Sequence, residues 1–198
     1  MDNERSGTGV RPPTLKLYYI DLKSFLSAPA LALRLRRGLA LYSANFMIAQ
    51  QLADFLQEGL STYIASRNER LEPNAARVTA LVVEPDGQHV VAFVPVVAGG
   101  PIMRDLRANG QVALVCARPP DERGCQVKGV FIEARDARDD ERPMVIDQWE
   151  RFRDKLAMIG LPRVTTDAWV TWPCLAIRLR VQALFDQTPG PGAGARLT

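Results

Sequence analysis

The sequence is poor in the side chains that most enzymes use for acid–base and metal chemistry. It holds one histidine, His89. A histidine-rich metal centre is excluded, and a Ser–His–Asp triad would depend on that one residue. His89 follows the turn signal Pro85-Asp86-Gly87 and opens the apolar run HVVAFV, which suits a strand residue beside a hairpin better than a general base. Three cysteines, Cys116, Cys125 and Cys174, stand far apart with no CxxC between them, so neither a zinc site nor a dithiol is indicated and no metal ligand is named. Their odd number, with no secretory-signal pattern, points to a reducing cytoplasm. The uncharged run Gly38 to Ala53 is too short and too polar to cross a bilayer, so no membrane partner is expected. Blocks of like charge are missing too. With a net charge of +3 and both signs interspersed, nothing argues for nucleic acid. No internal repeat is visible.

What remains is an ordinary globular composition, 47% hydrophobic and 24% charged, in a chain of 198 residues. That is enough for one domain with a substantial core. Residues 1–13 are polar and are expected to be disordered. Residues 14–44 mix short helical and extended patterns around Pro29 and read as a helical or irregular extension packed on the domain; a basic amphipathic segment using Arg34, Arg36 and Arg37 is the alternative. The domain proper spans residues 45–198. A helix over residues 45–58 is predicted from Ile48, Leu52 and Phe55 or Leu56, with Gly59 as its stop. Strands follow at residues 60–66, 76–84 and 88–95, the last two forming a hairpin around Pro85-Asp86-Gly87. PIMRDLRANG suits a short helix with Pro101 in its first turn and Asn109-Gly110 at its end. Two more strands, residues 111–118 and 125–135, precede a long amphipathic helix on Val145, Trp149, Phe152, Leu156 and Ile159, opened by acidic residues and closed by Gly160. LAIRLRVQALF alternates as a final strand with one wet face. Six strands joined by short turns, with flanking helices, give a mainly β fold that closes best as a small antiparallel barrel; a sandwich is the alternative.

Candidate chemistry sits on the strands. Arg77 and Thr79 are two apart and share a face, as do Gln126 and Lys128. Gly129 would let a flat ligand approach the backbone. Arg and Lys suit phosphate, whereas Gln and Thr suit the edge of a heterocycle. Ordinary solvent-facing strand residues would show the same spacing. The ending FDQTPGPGAGARLT raises the question of a phosphate-cradling glycine loop. Such a loop works by opening a helix, and only Ala195 to Thr198 follow Gly194, so a turn-rich tail, lying over a partner subunit, is the simpler reading.

The ordered set GLSTYIASRNERLEPNAARVTALVV, HVVAFVP, IMRDLRANGQVALV and CQVKG resembles the pyridoxamine 5'-phosphate oxidase-like family, and the ending resembles an uncharacterised flavin-nucleotide-binding branch of it. The resemblance covers residues 45–198. It implies a six-stranded antiparallel split β-barrel of the FMN-binding type, usually a homodimer with flavin at the subunit interface. It implies FMN as cofactor, with Arg77 on the phosphate, Gln126 on the flavin ring, and Phe93, Val94 and Pro95 framing the ring and ribityl chain. Thr79, Lys128 and Arg104 are further candidates for the same site. Val82 stands where the oxidases carry a Lys, GGPIM where they carry Arg-Lys, and their C-terminal Arg/His elements are missing. The vitamin B6 substrate is therefore not carried over, and no catalytic residue is named. The expected function is an FMN-binding oxidoreductase acting on a small molecule; a barrel that has lost its flavin and only binds is the second reading, and a haem-binding relative the third.

Overall fold

The computed structural model describes residues 47–197. The expectations for residues 1–13 and 14–44 lie outside the described residues. Helix α1 (Gln50–Leu56) leads into strand β1 (Ser61–Arg67), then β2 (Pro73–Val78), β3 (Ala80–Val83) and β4 (His89–Pro95). Helix α2 (Val96–Asn109) follows, then β5 (Gln111–Ala117), β6 (Gly124–Asp136), α3 (Arg142–Met158) and β7 (Cys174–Asp186). All strand pairs are antiparallel, and the sheet order is β2-β1-β5-β6-β7-β4-β3.

The two ends of that order, β2 and β3, are separated in the chain only by Thr79. They are two halves of one bent strand. Its first half pairs with β1 and its second half with β4, and the Thr79 amide donates to the Phe93 carbonyl at 2.8 Å. The sheet therefore closes on itself as a split barrel with six strand positions. The seventh strand comes from the break at Thr79, not from an extra element.

The bend leaves β3 with an unpaired edge, and two glutamines cover it. Gln148 of α3 donates to the Leu81 carbonyl at 2.8 Å and accepts from the Leu81 amide at 3.0 Å. Gln57 accepts from the Val83 amide at 3.2 Å. Buried backbone groups need such partners. On β2, Asn74 donates to Asp105 of α2 at 2.7 Å, and buried Ser66 of β1 donates to the same carboxylate oxygen at 2.8 Å. The barrel is filled by alternate residues, among them Ile64, Val78, Leu81, Val90, Leu114, Val127, Ile177, Leu179 and Leu184, joined by Phe55 and Leu56 from α1 and by Ile102 and Leu106 from α2.

Several boundaries differ from expectation. Helix α1 begins at Gln50 and closes at Gln57, two residues before Gly59. Helix α2 opens at Val96, so Pro101 lies inside it rather than in its first turn. Pro101 is exposed, so its ring points to solvent, and it leaves the Val97 carbonyl without its helical donor. Ile159, expected on the buried stripe of α3, lies just past the helix and is 48% exposed. Gly110 does end α2, in the left-handed conformation (φ 69°).

Candidate functional site

Residues that flank Arg77, Tyr63, Val115 and Gln126 point into the barrel, so these four point out. The pairing register aligns them across the sheet. Arg77 lies opposite Tyr63, Tyr63 opposite Val115, Val115 opposite Gln126, and Gln126 opposite Phe185. Three inter-strand steps separate Arg77 from Gln126, about 14 Å at the usual strand spacing. The next outward row is Ala75, Ala65, Ala113, Lys128 and Ala183. Small side chains thus line this row beside Lys128, with Ala113 buried among them, and the Lys128 ammonium lies 4.8 Å from the Phe185 ring. Tyr63, Ala65, Val115, Gln126, Lys128 and Phe185 are each half-buried, which leaves a partly apolar sheet face open.

Arg77 stands at one end of this face in an aromatic box. Its guanidinium carbon lies 4.5 Å from the Trp169 ring, 4.6 Å from the Tyr63 ring and 5.2 Å from the Phe152 ring. Nη2 donates to the Tyr63 hydroxyl at 2.5 Å. Nη1 is buried with no hydrogen-bond partner among the described residues. Burial pushes the guanidinium below its ordinary pKa, while the Tyr63 hydroxyl acts in the opposite sense. The group stays charged, because guanidinium does not deprotonate in proteins. A buried donor without an acceptor is an uncommon and costly arrangement. It is the feature of this face that fits an anion.

The other expected residues lie elsewhere. Thr79 is buried at the strand bend, its hydroxyl against the Cys174 thiol. Phe93 is buried on the outer side with Ala80, Val145, Cys174 and Ala176, beneath the start of α3, whereas Val94 faces the barrel interior. Pro95 is buried at the entry to α2. Arg104 is exposed on α2, beside a shallow hollow of about 420 Å³ that Asn68, Glu72 and Asp105 also line. The structure brings Arg77, Gln126 and Lys128 onto one face and leaves these five away from it. Gly129 also has a different reason from the expected one. A Cβ there would sit 2.4 Å from the Arg180 carbonyl oxygen, so the residue is glycine for the close β6–β7 approach at a register shift.

The aromatic box was not legible beforehand. Tyr63 alternates with the core of β1, but Trp169 lies in an irregular segment with no period. The glycine-rich tail reverses onto its own β7: Phe185 pairs with Arg196, and the Gly194 amide donates to Asp186 at 2.7 Å. The amides of Ala193 and Ala195 close turns on Gly190 and Gly192, so they are not free to cradle a phosphate.

His89 opens β4 as expected, with Nδ1 2.6 Å from Asp86. Glu84, Asp86 and His89 bring ligand-type atoms within 4.8 Å of one another. Both Glu84 oxygens already accept from Arg178, at 2.8 Å each, and this holds the Glu84 carboxyl below its usual range. Donation from the Gln88 amide and the His89 ring does the same for Asp86. The trio is a clasp on the β3–β4 hairpin.

No family model and no curated protein matches the chain. Solved structures do. They include HupZ from Group A Streptococcus, at 15% identity over 75% of this chain and 100% of that one, with a TM-score of 0.46. An FMN-binding protein from Syntrophomonas wolfei matches at 12% identity over 69% and 86%, with a TM-score of 0.42. A protein related to general stress protein 26, of the pyridoxinephosphate oxidase family, from Clostridium acetobutylicum matches at 14% identity over 65% and 79%, with a TM-score of 0.38. At these scores the likenesses carry no conclusion about ligand or reaction. Among the described residues no helix is long and apolar enough to cross a membrane. The chain is an antiparallel split barrel with flanking helices, similar in structure to pyridoxamine 5'-phosphate oxidase-like and FMN-binding proteins.

Proposed function

We propose that the outer face of β2, β1, β5 and β6 binds FMN, and that the chain works as a flavin-dependent oxidoreductase on a small molecule. The observation that carries this reading is the buried Nη1 of Arg77, without a hydrogen-bond partner among the described residues, in one lateral row with Gln126. Phosphate supplies the acceptor that Nη1 lacks, as a charge-assisted hydrogen bond. Gln126 offers both a donor and an acceptor to a heterocycle edge. Lys128 lies one row away, opposite Ala113, and adds a second cation to the same face. When bound, FMN supplies the hydride or electron transfer; the chain binds and orients it and excludes water. No side chain on this face is assigned a proton-transfer role. Thr79, Phe93, Val94, Pro95 and Arg104 keep at most a supporting part in this reading, since they lie off the face.

The open, partly apolar face favours a second copy of the chain as its cover, which makes the site an interface of a homodimer. The three cysteines are free and buried, which suits a reducing cytoplasm. A specific observation favours the second reading, a barrel without flavin. Val82 packs into the apolar cluster around Phe93, so that position offers no cation to a cofactor. Flavin fluorescence titration separates the two. Saturable quenching by the wild-type chain, weakened in both R77A and Q126A, supports FMN binding. The absence of any saturable quenching overturns it in favour of the flavin-free barrel.

A further inference from the structure

Trp169 lies on Arg77 from outside the barrel, on a solvent-exposed segment held to α3 mainly by polar side chains. Between α3 and β7, the short 3₁₀ turn Arg163–Thr166 and the residues after it form a strap that runs beside α3 and brings Trp169 onto Arg77. Most of the strap is open to solvent: Val164 is 71% exposed, Val170 51% and Trp169 40%. Thr166 is its buried residue. Three charged side chains of α3 hold it: Glu150 and Asp154 pair with Arg163, and Arg153 reaches further along the strap. Arg153 donates to the Thr166 hydroxyl at 2.8 Å and to the Arg163 carbonyl at 2.9 Å, and it pairs with Asp167. Trp169 also touches the Trp149 ring, with centroids 5.7 Å apart.

The contact between Trp169 and Arg77 is chemically incomplete. Aromatic faces attract a guanidinium through their quadrupoles but offer no in-plane acceptor to its N–H groups. Nη1 is therefore enclosed without being satisfied. A phosphate oxygen would satisfy it, yet the indole occupies the approach from the strap side. Two arrangements of one segment compete for one cation.

We propose that the 163–170 strap is a gate on the Arg77 anion site, and that Trp169 is the residue an incoming phosphate group displaces. This rests on the reading of Arg77 given above. In the closed form Trp169 covers the guanidinium. In the open form the ring leaves Arg77 and phosphate takes its place, with Tyr63 still beneath. The gate lowers apparent affinity by the fraction of chains that are closed.

The experiment uses the full chain with FMN, and separately inorganic phosphate, as probes. Stopped-flow flavin fluorescence gives association rate and affinity; calorimetry gives phosphate affinity; circular dichroism confirms that each variant is folded. W169A is expected to bind FMN faster and more tightly by roughly three- to thirtyfold, the equilibrium change that a cation–π contact supplies. T166V, which loosens the strap without touching Arg77, is expected to shift both in the same direction by less. W169F, which keeps a ring, falls between wild type and W169A. If R77A loses binding while W169A and T166V bind no faster and no tighter than wild type, the gate is overturned and the Arg77 site stands. If neither probe binds saturably to any variant, the Arg77 reading fails and the gate with it.

Discussion

Replacing Arg77 by methionine separates a ligand-binding arginine from a structural one. The guanidinium makes one hydrogen bond, to Tyr63, and three ring contacts. Losing a hydrogen bond to a charged group costs about 1.5–3 kcal/mol. The ring contacts add about 0.5–1 kcal/mol each. Against this, methionine removes a buried donor that has no acceptor, worth about 1–3 kcal/mol. It also fills the box with an apolar chain whose sulfur packs well on aromatic rings, for about 0.3–1.5 kcal/mol. The terms nearly cancel, so R77M should unfold within about 2 kcal/mol of wild type in urea, followed by tryptophan fluorescence. FMN affinity should fall about 10- to 150-fold, the equivalent of one charged hydrogen bond of about 1.5–3 kcal/mol. A loss of stability above about 4 kcal/mol with unchanged FMN affinity would refute the argument, because Arg77 would then be holding the strap and the sheet together and nothing else.

Other outcomes follow from the packing. G129A should destabilise the fold by about 1–3 kcal/mol through overpacking, because the new Cβ meets the Arg180 carbonyl and β6 must move away from β7; thermal denaturation reads this directly, and a neutral result would mean the register shift relaxes freely. D105A should cost about 2–4 kcal/mol by leaving the Ser66 hydroxyl and the Asn74 amide without their shared acceptor. D105N, which keeps one oxygen, should cost less, and equal losses would show that the acceptor is not what matters. Burial pushes the Cys174 thiol from its ordinary 9.0 up to about 11. A raised value on an acid favours the folded state below the unfolded pKa. That contribution should be full below pH 9 and should disappear as pH rises towards 11, when both states ionise. C174A should flatten this part of the stability–pH curve, and an unchanged slope would assign it to other groups.

Much of the barrel can be read from the sequence because its signals are local. The Pro85-Asp86-Gly87 turn, the alternation of Ile177 to Val181 and the stripe Val145, Trp149, Phe152, Leu156 each follow from a backbone period or a turn geometry. The bend at Thr79 was hidden because ARVTALVV has continuous strand propensity, and the break arises from closure of the sheet. The first turn of α2 was hidden because Gly99 and Gly100 are weak helix formers ahead of a proline that usually begins helices. At the site, the shared face of Gln126 and Lys128 follows from a spacing of two. Their alignment with Arg77 depends on register between strands far apart in the chain, which no single strand carries. Trp169 reaches Arg77 through a segment with no period at all, so neither the aromatic box nor the strap had a sequence signal. Phe93 and Val94 were expected to frame a ligand together, but neighbours on a strand face opposite sides, and here both sides are packed.

The central claim is that the outer sheet face binds FMN between two copies of the chain. Gel filtration of the purified protein after incubation with FMN, recording protein and visible absorbance together, tests it most directly. The account predicts flavin absorbance eluting with the protein at the size of a dimer, and its loss from that peak in R77M. Colourless protein at any size, with all the flavin in the small-molecule volume, would contradict it.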